Sequence, residues 1–501
     1  MQPVDIVFCS VPFSDMDHIY SAPAILKGVA QENGYTAKTV EFGCNLLSLC
    51  NKDSHKFHLI QKYFISPADA TSEQQIIIDQ FYLEVVQYFL DNPSTYIGIS
   101  AISTYSHRAV IEICARIKQA GITSQIIIGG RGGAVPVWKI FTEKFRLTQM
   151  QKSMSLGQYL HYAKLAEYHV VGDGEDALLS ILNGTHGSTE LPQHSDHFRS
   201  PIPDYSDYKF ESYLLTQEQM YWPITGSKGC VRDCDFCDVK KHFGKYRYRG
   251  GADIAHEMIT ISQQTGTRKF QFNDSLVNGG LKPFQEFLEI MANYNSTNPD
   301  QQIKWSGQYI CRPETPERIY KLISAAGGEG LTIGAESGSN RVLAAMNKKT
   351  TVEALYAELE QFKKHNITTV LLFMVGHWSE TWEDFVEHCK ALTKIAPYIR
   401  SGTISAIQVG TSMGIIDHTP VFENREKNNL VLSDFDPNKI WVCKDNPTNT
   451  VAERIRRQLL AMKIATHLNF PMINQFENYV HSLTALEQDH EQINRFYQQF
   501  A

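Results

Sequence analysis

Short apolar runs alternate with amphipathic stretches over the first 190 residues of the chain. The apolar runs that read as buried strands lie at residues 5–12, 36–42, 96–103 and 125–133. Stretches such as 22–34, which ends at a glycine, and 107–121 read as helices. Continuous apolar strands joined by helices are typical of a parallel sheet that is covered on both faces. Residues 1–190 are therefore predicted to form a doubly wound, Rossmann-like α/β domain.

The carboxyl ends of these strands have small or hydroxylated residues. In a doubly wound sheet, ligands bind in the crevice at those ends. The residues there that permit close approach of a ligand are Ser10, Ser100, Ser103, Thr104, Gly129 and Gly130. The pattern predicts ligand binding at this edge of the first domain.

A polar segment rich in proline, serine and aspartate separates this domain from a second pattern. It is predicted to be a linker at residues 191–215. Strand and helix pairs follow within residues 216–412, with strands at 221–229, 268–274, 303–310, 330–337, 368–376 and 402–410. Consecutive βα units of this kind predict a (β/α)6 partial TIM barrel with ligands at its carboxyl face. Residues 413–501 are mostly helical in character and are expected to cap the barrel.

Composition and charge restrict the function classes. The chain has 501 residues, of which 43% are hydrophobic and 20% charged, as in ordinary globular proteins. No apolar run approaches the ~18 residues that span a bilayer, so we expect a soluble, cytoplasmic protein. The net charge of −7 does not favour nucleic acid as the main partner. The basic stretch 240–249 reads as a solvated loop or as a contact for phosphate or carboxylate groups.

Three cysteines in the segment GSKGCVRDCDFCD are the strongest chemical signal. Cys230, Cys234 and Cys237 have the spacing CxxxCxxC, which suits a cubane iron-sulfur cluster and leaves one iron without a protein ligand. A structural zinc site needs a fourth close ligand, for which His242 is the candidate nearby in sequence. A disulfide framework is typical of short secreted chains rather than of a chain this long.

The remaining cysteines show no ligand spacing and read as buried or free thiols in a reducing compartment. They are Cys9, Cys44, Cys50, Cys114, Cys311, Cys389 and Cys443. The sequence therefore does not support a second cluster.

The cysteine spacing, with Gly229 before the first cysteine and Phe236 before the last, resembles the radical S-adenosylmethionine (SAM) enzymes. In that family the open iron of a [4Fe-4S] cluster chelates the amino and carboxylate groups of SAM, and one electron cleaves SAM to a 5'-deoxyadenosyl radical. The resemblance implies a [4Fe-4S] cluster and SAM as cofactors, with Phe236 among the cofactor contacts.

The resemblance covers about residues 220–410 and implies further SAM contacts. FNDSLVNG matches the motif for the SAM amino group at Asn273 and Asp274, although Asn-Asp at a strand end is also common turn chemistry. IGAESGSNRVLAAMNKKT resembles the fourth-strand signature, in which Glu336 accepts the ribose hydroxyls and Ser337 assists. Arg312 stands where the family places an arginine that binds a carboxylate, with an ordinary salt bridge as the alternative.

The segment FMVGHWSETWEDF is similar to the family's fifth-strand sequence GLPGET. This similarity implies adenine contacts from Met374 and from the backbone near Gly376. Three residues depart from the family pattern and put bulky side chains where the family is compact, namely His377, Trp378 and Ser379. Glu380 is interpreted as a helix cap.

The order GISAIS, helix, IIIGG and VVGDGEDAL resembles the cobalamin-binding domain that precedes many radical SAM domains. The resemblance implies a cobalamin site at Ser100, Ser103, Gly129, Gly130, Gly172, Gly174 and Glu175, with Thr104 beside it. The stretch 134–167 is longer than is usual in that family. A Rossmann-like domain that only supports the second domain is the alternative.

The loop after the first strand, FSDMDHIYSA, lacks the DxHxxG motif that supplies a histidine to cobalt in cobalamin proteins of the methionine synthase type. His18 is therefore interpreted as a loop histidine rather than an axial ligand. Family members without the motif still bind cobalamin, so the cofactor remains expected.

These features predict a cobalamin-dependent radical SAM methyltransferase that acts on an unactivated carbon. The expected partners are a small-molecule or peptide substrate and an electron donor such as flavodoxin or ferredoxin. One alternative is a radical SAM cyclase, rearrangement or methylthiotransfer enzyme without cobalamin. Methylthiotransferases usually have a second cysteine triad in the N-terminal domain, which Cys9, Cys44 and Cys50 do not match. The other alternative is a non-catalytic iron-sulfur or corrinoid sensor.

Overall fold

The computed structural model describes residues 3–12, 16–65, 70–135, 137, 154–193, 201–434, 436–473 and 490–499. The chain divides into two compact units, 1–223 with 263–269 and 224–262 with 270–501. Much of the stretch 134–167, and residues 194–200 of the predicted linker, lie outside the described residues.

The first unit is built on a parallel sheet, as the sequence predicts. Its strands are β1 (Val4–Ser10), β2 (Ala37–Glu41), β3 (Ser94–Ser100), β4 (Gln125–Gly129), β5 (Tyr168–Gly172) and β6 (Glu190–Gln193). The strand order is β2-β1-β3-β4-β5-β6, and all neighbouring pairs are parallel. The prediction of a doubly wound, Rossmann-like fold is confirmed, and its topological switch point lies between β1 and β3.

Helices connect these strands. They are α1 (Ala22–Glu32), α2 (Phe42–Leu49), α3 (Ser54–Ile65), α4 (Ser72–Asp91), α5 (His107–Gln119), α6 (Leu156–Tyr162) and α7 (Gly174–Leu182). The strand β6 is not among the predicted strands, because four residues that include Pro192 do not form an apolar run. Proline is accepted there because β6 is the last strand of the sheet and has one free edge.

A buried lysine fixes part of the predicted linker to the first unit. The side chain of Lys27 is 3% exposed, and its Nζ lies 2.6 Å from Asp207 Oδ2 and 3.2 Å from Asp204 Oδ2. The same Asp207 oxygen accepts the Thr39 N–H at 2.9 Å, so the segment bonds to both α1 and β2. Residues 204–207 are thus attached to the sheet and are not a free tether.

Lys27→Met is expected to lower the stability of the first unit. The substitution keeps the packing of the aliphatic stem and leaves two partly exposed carboxylates without their cation. We expect a loss of about 1–3 kcal/mol in the free energy of unfolding. The measurement is urea unfolding of the full chain with hydrogen exchange at residues 201–208 as the local probe. Lys38→Met, which loses only a bond to Asn92, is the control, and equal effects of the two variants would contradict the prediction.

The second half of the chain has the predicted barrel strands in their predicted order. Its strands are β7 (Trp222–Ile224), β8 (Ser227–Lys228), β9 (Arg247–Tyr248), β10 (Lys269–Phe272), β11 (Lys304–Ser306), β12 (Gln308–Tyr309), β13 (Leu331–Glu336), β14 (Thr369–Val375), β15 (Ile404–Ser412), β16 (Leu430–Leu432) and β17 (Trp441–Cys443). Two sheets, β11-β10-β7 and β12-β13-β14-β15, follow the chain order expected of a (β/α)6 barrel.

The helices of this half alternate with the strands. They are α8 (Val239–Phe243), α9 (Gly251–Thr265), α10 (Leu281–Thr297), α11 (Glu317–Ala325), α12 (Asn340–Ala345), α13 (Val352–Lys364), α14 (Trp382–Arg400), α15 (Pro420–Glu423), α16 (Val451–His467) and α17 (His490–Gln498). None of the described helices is both long and apolar enough to cross a membrane.

The third barrel strand is interrupted at Gly307, which the sequence does not predict. A Cβ at Gly307 would lie 2.6 Å from Val277 Cγ1, so any larger residue here requires a neighbouring side chain to shift. The interruption divides the strand into β11, which pairs with β10, and β12, which pairs with β13. Trp305 anchors the break, because it is fully buried and its Nε1 donates to Ala326 O at 3.0 Å.

The prediction of a mostly helical region at residues 413–501 missed one feature. The strands β16 and β17 form an antiparallel ribbon, whereas α16 and α17 are helical as expected. These strands have three residues each, too few for a period to be read from the sequence. The ribbon buries Trp441, and the guanidinium of Arg454 lies 3.7 Å from the Trp441 ring centroid.

Candidate active site

Buried polar contacts position the segment that leads into the three cysteines. Asp274, which follows β10, accepts the Gly226 N–H at 2.8 Å through Oδ1 and the Ser227 hydroxyl at 2.6 Å through Oδ2. Burial raises the pKa of Asp274 to about 7. Arg249 donates to Thr225 O at 3.0 Å and forms a buried ion pair with Glu257. The backbone just before the cysteines is therefore fixed by two side chains, Asp274 and Arg249, and Glu257 pairs with the second of them.

These contacts change how the predicted SAM contacts at Asn273 and Asp274 are understood. Both Asp274 oxygens have partners within the chain, whereas Asn273 is exposed and donates its N–H to Ile224 O at 2.9 Å. Contact with the SAM amino group stays a prediction for both residues. The role that the structure gives Asp274 is to hold the start of the cysteine segment.

The cysteine segment presents three free thiols. Cys234 is buried, and Cys230 and Cys237 are half-buried. Burial raises the pKa of the Cys234 thiol to about 11, an effect that the nearby Lys348 ammonium partly offsets. Within the described residues, no group of three or more His, Cys, Asp or Glu side chains could hold a single metal ion. His242, the candidate zinc ligand, bonds to Asp238 at 3.0 Å.

Glu336 lies at the end of β13 in a strained turn. Its φ is +60°, and the Ser337 N–H donates to Ala335 O at 2.8 Å, which is the bonding of a γ-turn. A γ-turn with positive φ is rare and strained, and such strain persists where the surroundings enforce it. The side chain of Ser337 is buried next to the turn and accepts the Ser339 N–H at 3.1 Å. The strain marks Glu336 as a functional candidate.

Lys348 joins Glu336 to the cysteine segment. Its Nζ lies 2.7 Å from Glu336 Oε1 and 5.9 Å from the Phe236 ring centroid. Burial by itself would lower the pKa of Lys348, but the negative charges of Glu336 and Cys234 raise it. The ammonium is therefore held in its charged form beside the thiols.

The two residues that precede Lys348, Met346 and Asn347, also bind the cysteine segment. Met346 O accepts the Asp235 N–H at 3.0 Å, and Asn347 Nδ2 donates to Asp233 O at 2.7 Å. Sequence reasoning missed Lys348 as a site residue. The lysine pair in NKKT was the available signal, but it does not reveal that Lys348 rather than Lys349 turns towards Glu336.

The loop after β14 forms hydrogen bonds with the cysteine segment. Nε2 of His377 and Nε1 of Trp378 both lie 3.1 Å from Asp235 Oδ2, in the middle of the cysteine segment. Met374, Trp378 and Phe236 pack against one apolar cluster. Adenine contact by Met374 and by the backbone near Gly376 stays a prediction. Two of the three residues that depart from the family pattern, His377 and Trp378, thus bind the cysteine segment.

The interpretation of Glu380 as a helix cap is wrong. Thr381 caps α14, whereas Glu380 accepts the Gly376 N–H at 3.0 Å and forms a buried ion pair with Arg457 at 2.8 Å. Gly376 has φ +73°, and a Cβ there would lie 2.4 Å from Arg454 Cγ. The helix α16 therefore fixes the backbone at Gly376.

Arg312 lies between two barrel loops. Its Nη2 donates to Gly279 O at 3.2 Å, and its Nη1 lies 3.8 Å from Glu314 Oε1, which is the salt bridge that the sequence left as the alternative. Its Nε is buried and has no hydrogen-bond partner in the described part of the chain. The residue borders a cavity of about 180 Å³ that is also lined by Tyr309 and Arg318. An unpaired guanidinium N–H beside a cavity suits the binding of a carboxylate.

In the first unit, small residues of the predicted ligand site lie side by side on neighbouring strands. Ser10, Ser100 and Gly129 are neighbours in register at the carboxyl ends of β1, β3 and β4. A Cβ at Gly129 would meet nothing within 4 Å among the described residues, so none of them fills the space there. The Ser103 hydroxyl is buried without a hydrogen-bond partner among the described residues, and the Ser100 hydroxyl lies 2.8 Å from Tyr20 Oη.

The other predicted residues of this edge shape the loops. Gly130 has φ +87°, and a Cβ there would lie 2.5 Å from Ala101 O, so the glycine is needed for loop packing. Thr104 begins a short 3-10 turn, and Gly172, with φ +98°, precedes α7, whose first turn contains Glu175. The side chain of His18 is 62% exposed and lies 2.5 Å from Asp17, as expected of a loop histidine.

Comparison with known proteins identifies the barrel. Residues 224–392 match the family model of the Radical SAM superfamily. This part of the chain is a radical SAM domain. All three cysteines, Glu336 and the Asp235 contacts with His377 and Trp378 lie within the radical SAM domain.

Relatives and solved structures extend the comparison. The chain is similar to the bacteriochlorophyllide d C-12(1)-methyltransferase of Chlorobaculum tepidum, with 28% identity over 36% of this chain and 39% of the relative. It is also similar to the ribosomal protein uS12 methylthiotransferase RimO of Clostridioides difficile, with 26% identity over 43% of this chain and 48% of the relative. These matches span less than half of either relative.

A likeness of fold reaches beyond the radical SAM domain. The solved structure of the radical SAM methyltransferase TsrM from Kitasatospora setae, with cobalamin and a [4Fe-4S] cluster bound, superposes with a TM-score of 0.60. The match covers 86% of this chain and 77% of TsrM at 14% identity. The two proteins therefore share a fold that includes both the Rossmann-like unit and the radical SAM domain.

Gly334→Ala is expected to disrupt the pair of Glu336 and Lys348. A Cβ at Gly334 would lie 2.3 Å from Glu336 Oε1 and 2.9 Å from Lys348 Nζ, so one of the two side chains must move. We expect a loss of about 1–3 kcal/mol in the free energy of unfolding. Thermal and urea unfolding measure it. Gly187→Ala, where a Cβ meets nothing within 4 Å, is the control, and an unchanged Gly334→Ala stability would show that the pair is not held as described.

Proposed function

We propose that this chain is a cobalamin-dependent radical SAM methyltransferase that acts on an unactivated carbon of a small molecule or peptide. The observation that supports it most is the Lys348 ammonium, which contacts both Glu336 and the cysteine segment. These two parts lie about a hundred residues apart in sequence and come together at one end of the barrel strands. The methyltransferase relative and the fold shared with TsrM support the same proposal.

The residues at the cysteine segment fit a [4Fe-4S] cluster with SAM. Three thiols on one braced segment match three of the four irons. Arg312 has a buried N–H without a partner among the described residues, which fits the SAM carboxylate. In the first unit, the open space at Gly129 and the unpaired Ser103 hydroxyl fit a large ligand such as cobalamin.

When bound, the cluster supplies the electron that cleaves SAM, and cobalamin supplies a carrier for the methyl group. Glu336 has one oxygen paired with Lys348, and its carboxylate has further acceptor positions for the ribose hydroxyls. Lys348 keeps a positive charge beside the thiols and Glu336. Phe236, Met374 and Trp378 belong to an apolar cluster and exclude water from the reacting groups.

The proposal also covers the electron donor and the compartment. A one-electron carrier such as flavodoxin or ferredoxin is the proposed donor. A reducing cytoplasm is the proposed location, because an iron-sulfur cluster and free thiols persist there. Nucleic acid is not proposed as the substrate, in keeping with the negative net charge.

Cluster loading and SAM cleavage test the proposal. Anaerobically reconstituted protein should bind about four irons per chain, retain hydroxocobalamin, and form 5'-deoxyadenosine from SAM with dithionite. Cys230→Ala should lose the cluster and the cleavage, whereas Cys389→Ala, a half-buried cysteine of α14, should keep both. The measurements are iron and corrinoid analysis, visible absorption and mass spectrometry.

Each contrary outcome has a distinct meaning. Cluster and cleavage without retained corrinoid would favour a cobalamin-independent enzyme, for which the similarity to RimO is the supporting observation. Cluster binding without 5'-deoxyadenosine would favour a sensor. Zinc in place of iron would refute the proposal. A second cluster is not proposed, because Cys9, Cys44 and Cys50 do not have the CxxxCxxC spacing.

A further inference from the structure

The cysteine segment lies within a hairpin that is rich in lysine and arginine. Residues 227–248 begin with β8 and end with β9, so that one strand precedes the three cysteines, the other follows them, and the two pair antiparallel. This basic hairpin contains six lysine or arginine residues and three aspartates, in a chain with a net charge of −7. Its positive charge is therefore a local feature that runs against the overall composition.

The three aspartates of the basic hairpin all have partners within the protein. Asp233 forms an ion pair with Lys240, and Asp238 lies 3.0 Å from His242 Nε2. Asp235 accepts hydrogen bonds from the loop after β14. The negative charges of the hairpin are thus used by internal contacts.

Two lysines of the basic hairpin have no such partner. Lys241 and Lys245 are exposed, and neither forms an ion pair with any residue that the structure describes. The Lys241 N–H donates to Asp238 O at 3.0 Å, directly after the third cysteine. Gly229, directly before the first cysteine, has φ +85°, and a Cβ there would lie 3.2 Å from Lys245 O. Both lysines therefore extend from backbone that adjoins the cysteines.

The cysteine segment is itself close to the protein surface. Cys230 and Cys237 are half-buried, and Val231, between the first two cysteines, is 39% exposed. Tyr248, at the end of the hairpin, is 53% exposed. Electron transfer between proteins slows steeply with distance, so a donor must dock where its acceptor lies near the surface. The exposed apolar and basic side chains of the hairpin occur beside the predicted acceptor, and protein interfaces combine apolar and polar side chains in this way.

These features fit an acidic partner that delivers an electron. Attraction between opposite charges raises the rate at which two proteins meet and also orients them. The negative net charge of the chain repels an acidic carrier, so a basic surface is where such a carrier is expected to dock. A flavin carrier presents the apolar edge of its ring, which suits the exposed side chain of Val231.

We infer that the basic hairpin is the docking surface for an acidic flavoprotein of the flavodoxin type, which passes one electron to the cluster. This inference rests on the proposed function. The flavin hydroquinone loses one electron and becomes the semiquinone, the cluster gains that electron, and no bond is formed or broken. Lys241 and Lys245 supply the charge that attracts the carrier, and Val231 supplies an apolar contact.

Reversal of the two lysine charges tests the inference. The hairpin variant is Lys241→Glu with Lys245→Glu, which changes exposed side chains that are not among the predicted ligands of the cluster or of SAM. The control variant is Lys363→Glu with Lys390→Glu, which makes the same change of charge at exposed positions of α13 and α14. The measurement is stopped-flow absorbance of anaerobic, cluster-loaded protein mixed with a reduced, acidic flavodoxin.

At low ionic strength, flavodoxin should reduce the hairpin variant at least about 10-fold more slowly than wild type or the control variant. At about 1 M salt, where the Debye length is about 3 Å, the three proteins should react at similar rates. Photoreduced deazaflavin, a small reductant that needs no docking surface, should reduce all three equally. Val231→Ser should slow the reaction with flavodoxin at low and at high salt, because it removes an apolar contact.

Several results would overturn the inference. It is wrong if reduced flavodoxin does not reduce wild type, reduces the hairpin variant as fast as the control variant, or reacts at a rate that salt does not change. It is also wrong if the lysine substitutions slow only an acidic ferredoxin, or weaken only the binding of an RNA oligonucleotide. If wild type still forms 5'-deoxyadenosine with dithionite, the proposed function stands and the inference alone is lost. If loaded wild type cleaves no SAM with any of these reductants, both fall.

Discussion

The buried ammonium of Lys348 is the interaction on which the site depends. Its side chain is 14% exposed, and a cation so far from water must be paired. Its partners are the Glu336 carboxylate at the end of β13 and, on the cysteine segment, the Phe236 ring and the nearby Cys234. The Lys348 ammonium has partners both at the end of β13 and on the cysteine segment, and this requirement holds the two parts at a fixed distance from each other. Residue 334 is a glycine because a Cβ there would collide with the paired side chains of Glu336 and Lys348.

The parts of the fold that the sequence predicts are those with local signals. The strands β1 and β3 of the first sheet and β14 of the barrel contain apolar runs, as expected of parallel sheets that are covered on both faces. The cysteine motif is legible because its residues lie within eight positions of one another. The strands β6, β16 and β17 have three or four residues, so no period marks them, and tertiary pairing alone makes them strands.

The role of a carboxylate at a strand end depends on its tertiary partners, which the residue type does not reveal. Asp274, Glu336 and Glu380 all lie just after or at the end of barrel strands, but each has a different set of partners. The first supports a backbone, the second pairs with a buried lysine, and the third joins a loop to α16. His377 contacts Asp235 from 142 residues away, a distance over which a single sequence gives no sign of contact.

The positive φ of Glu336 has a consequence for the stability of its turn. Glycine or asparagine adopts that conformation with less strain than glutamate does, so a chain with either residue there would gain stability at this turn. It would also lose the carboxylate that faces Lys348. Glutamate at 336 therefore combines a strained backbone with a carboxylate that pairs with the buried ammonium of Lys348.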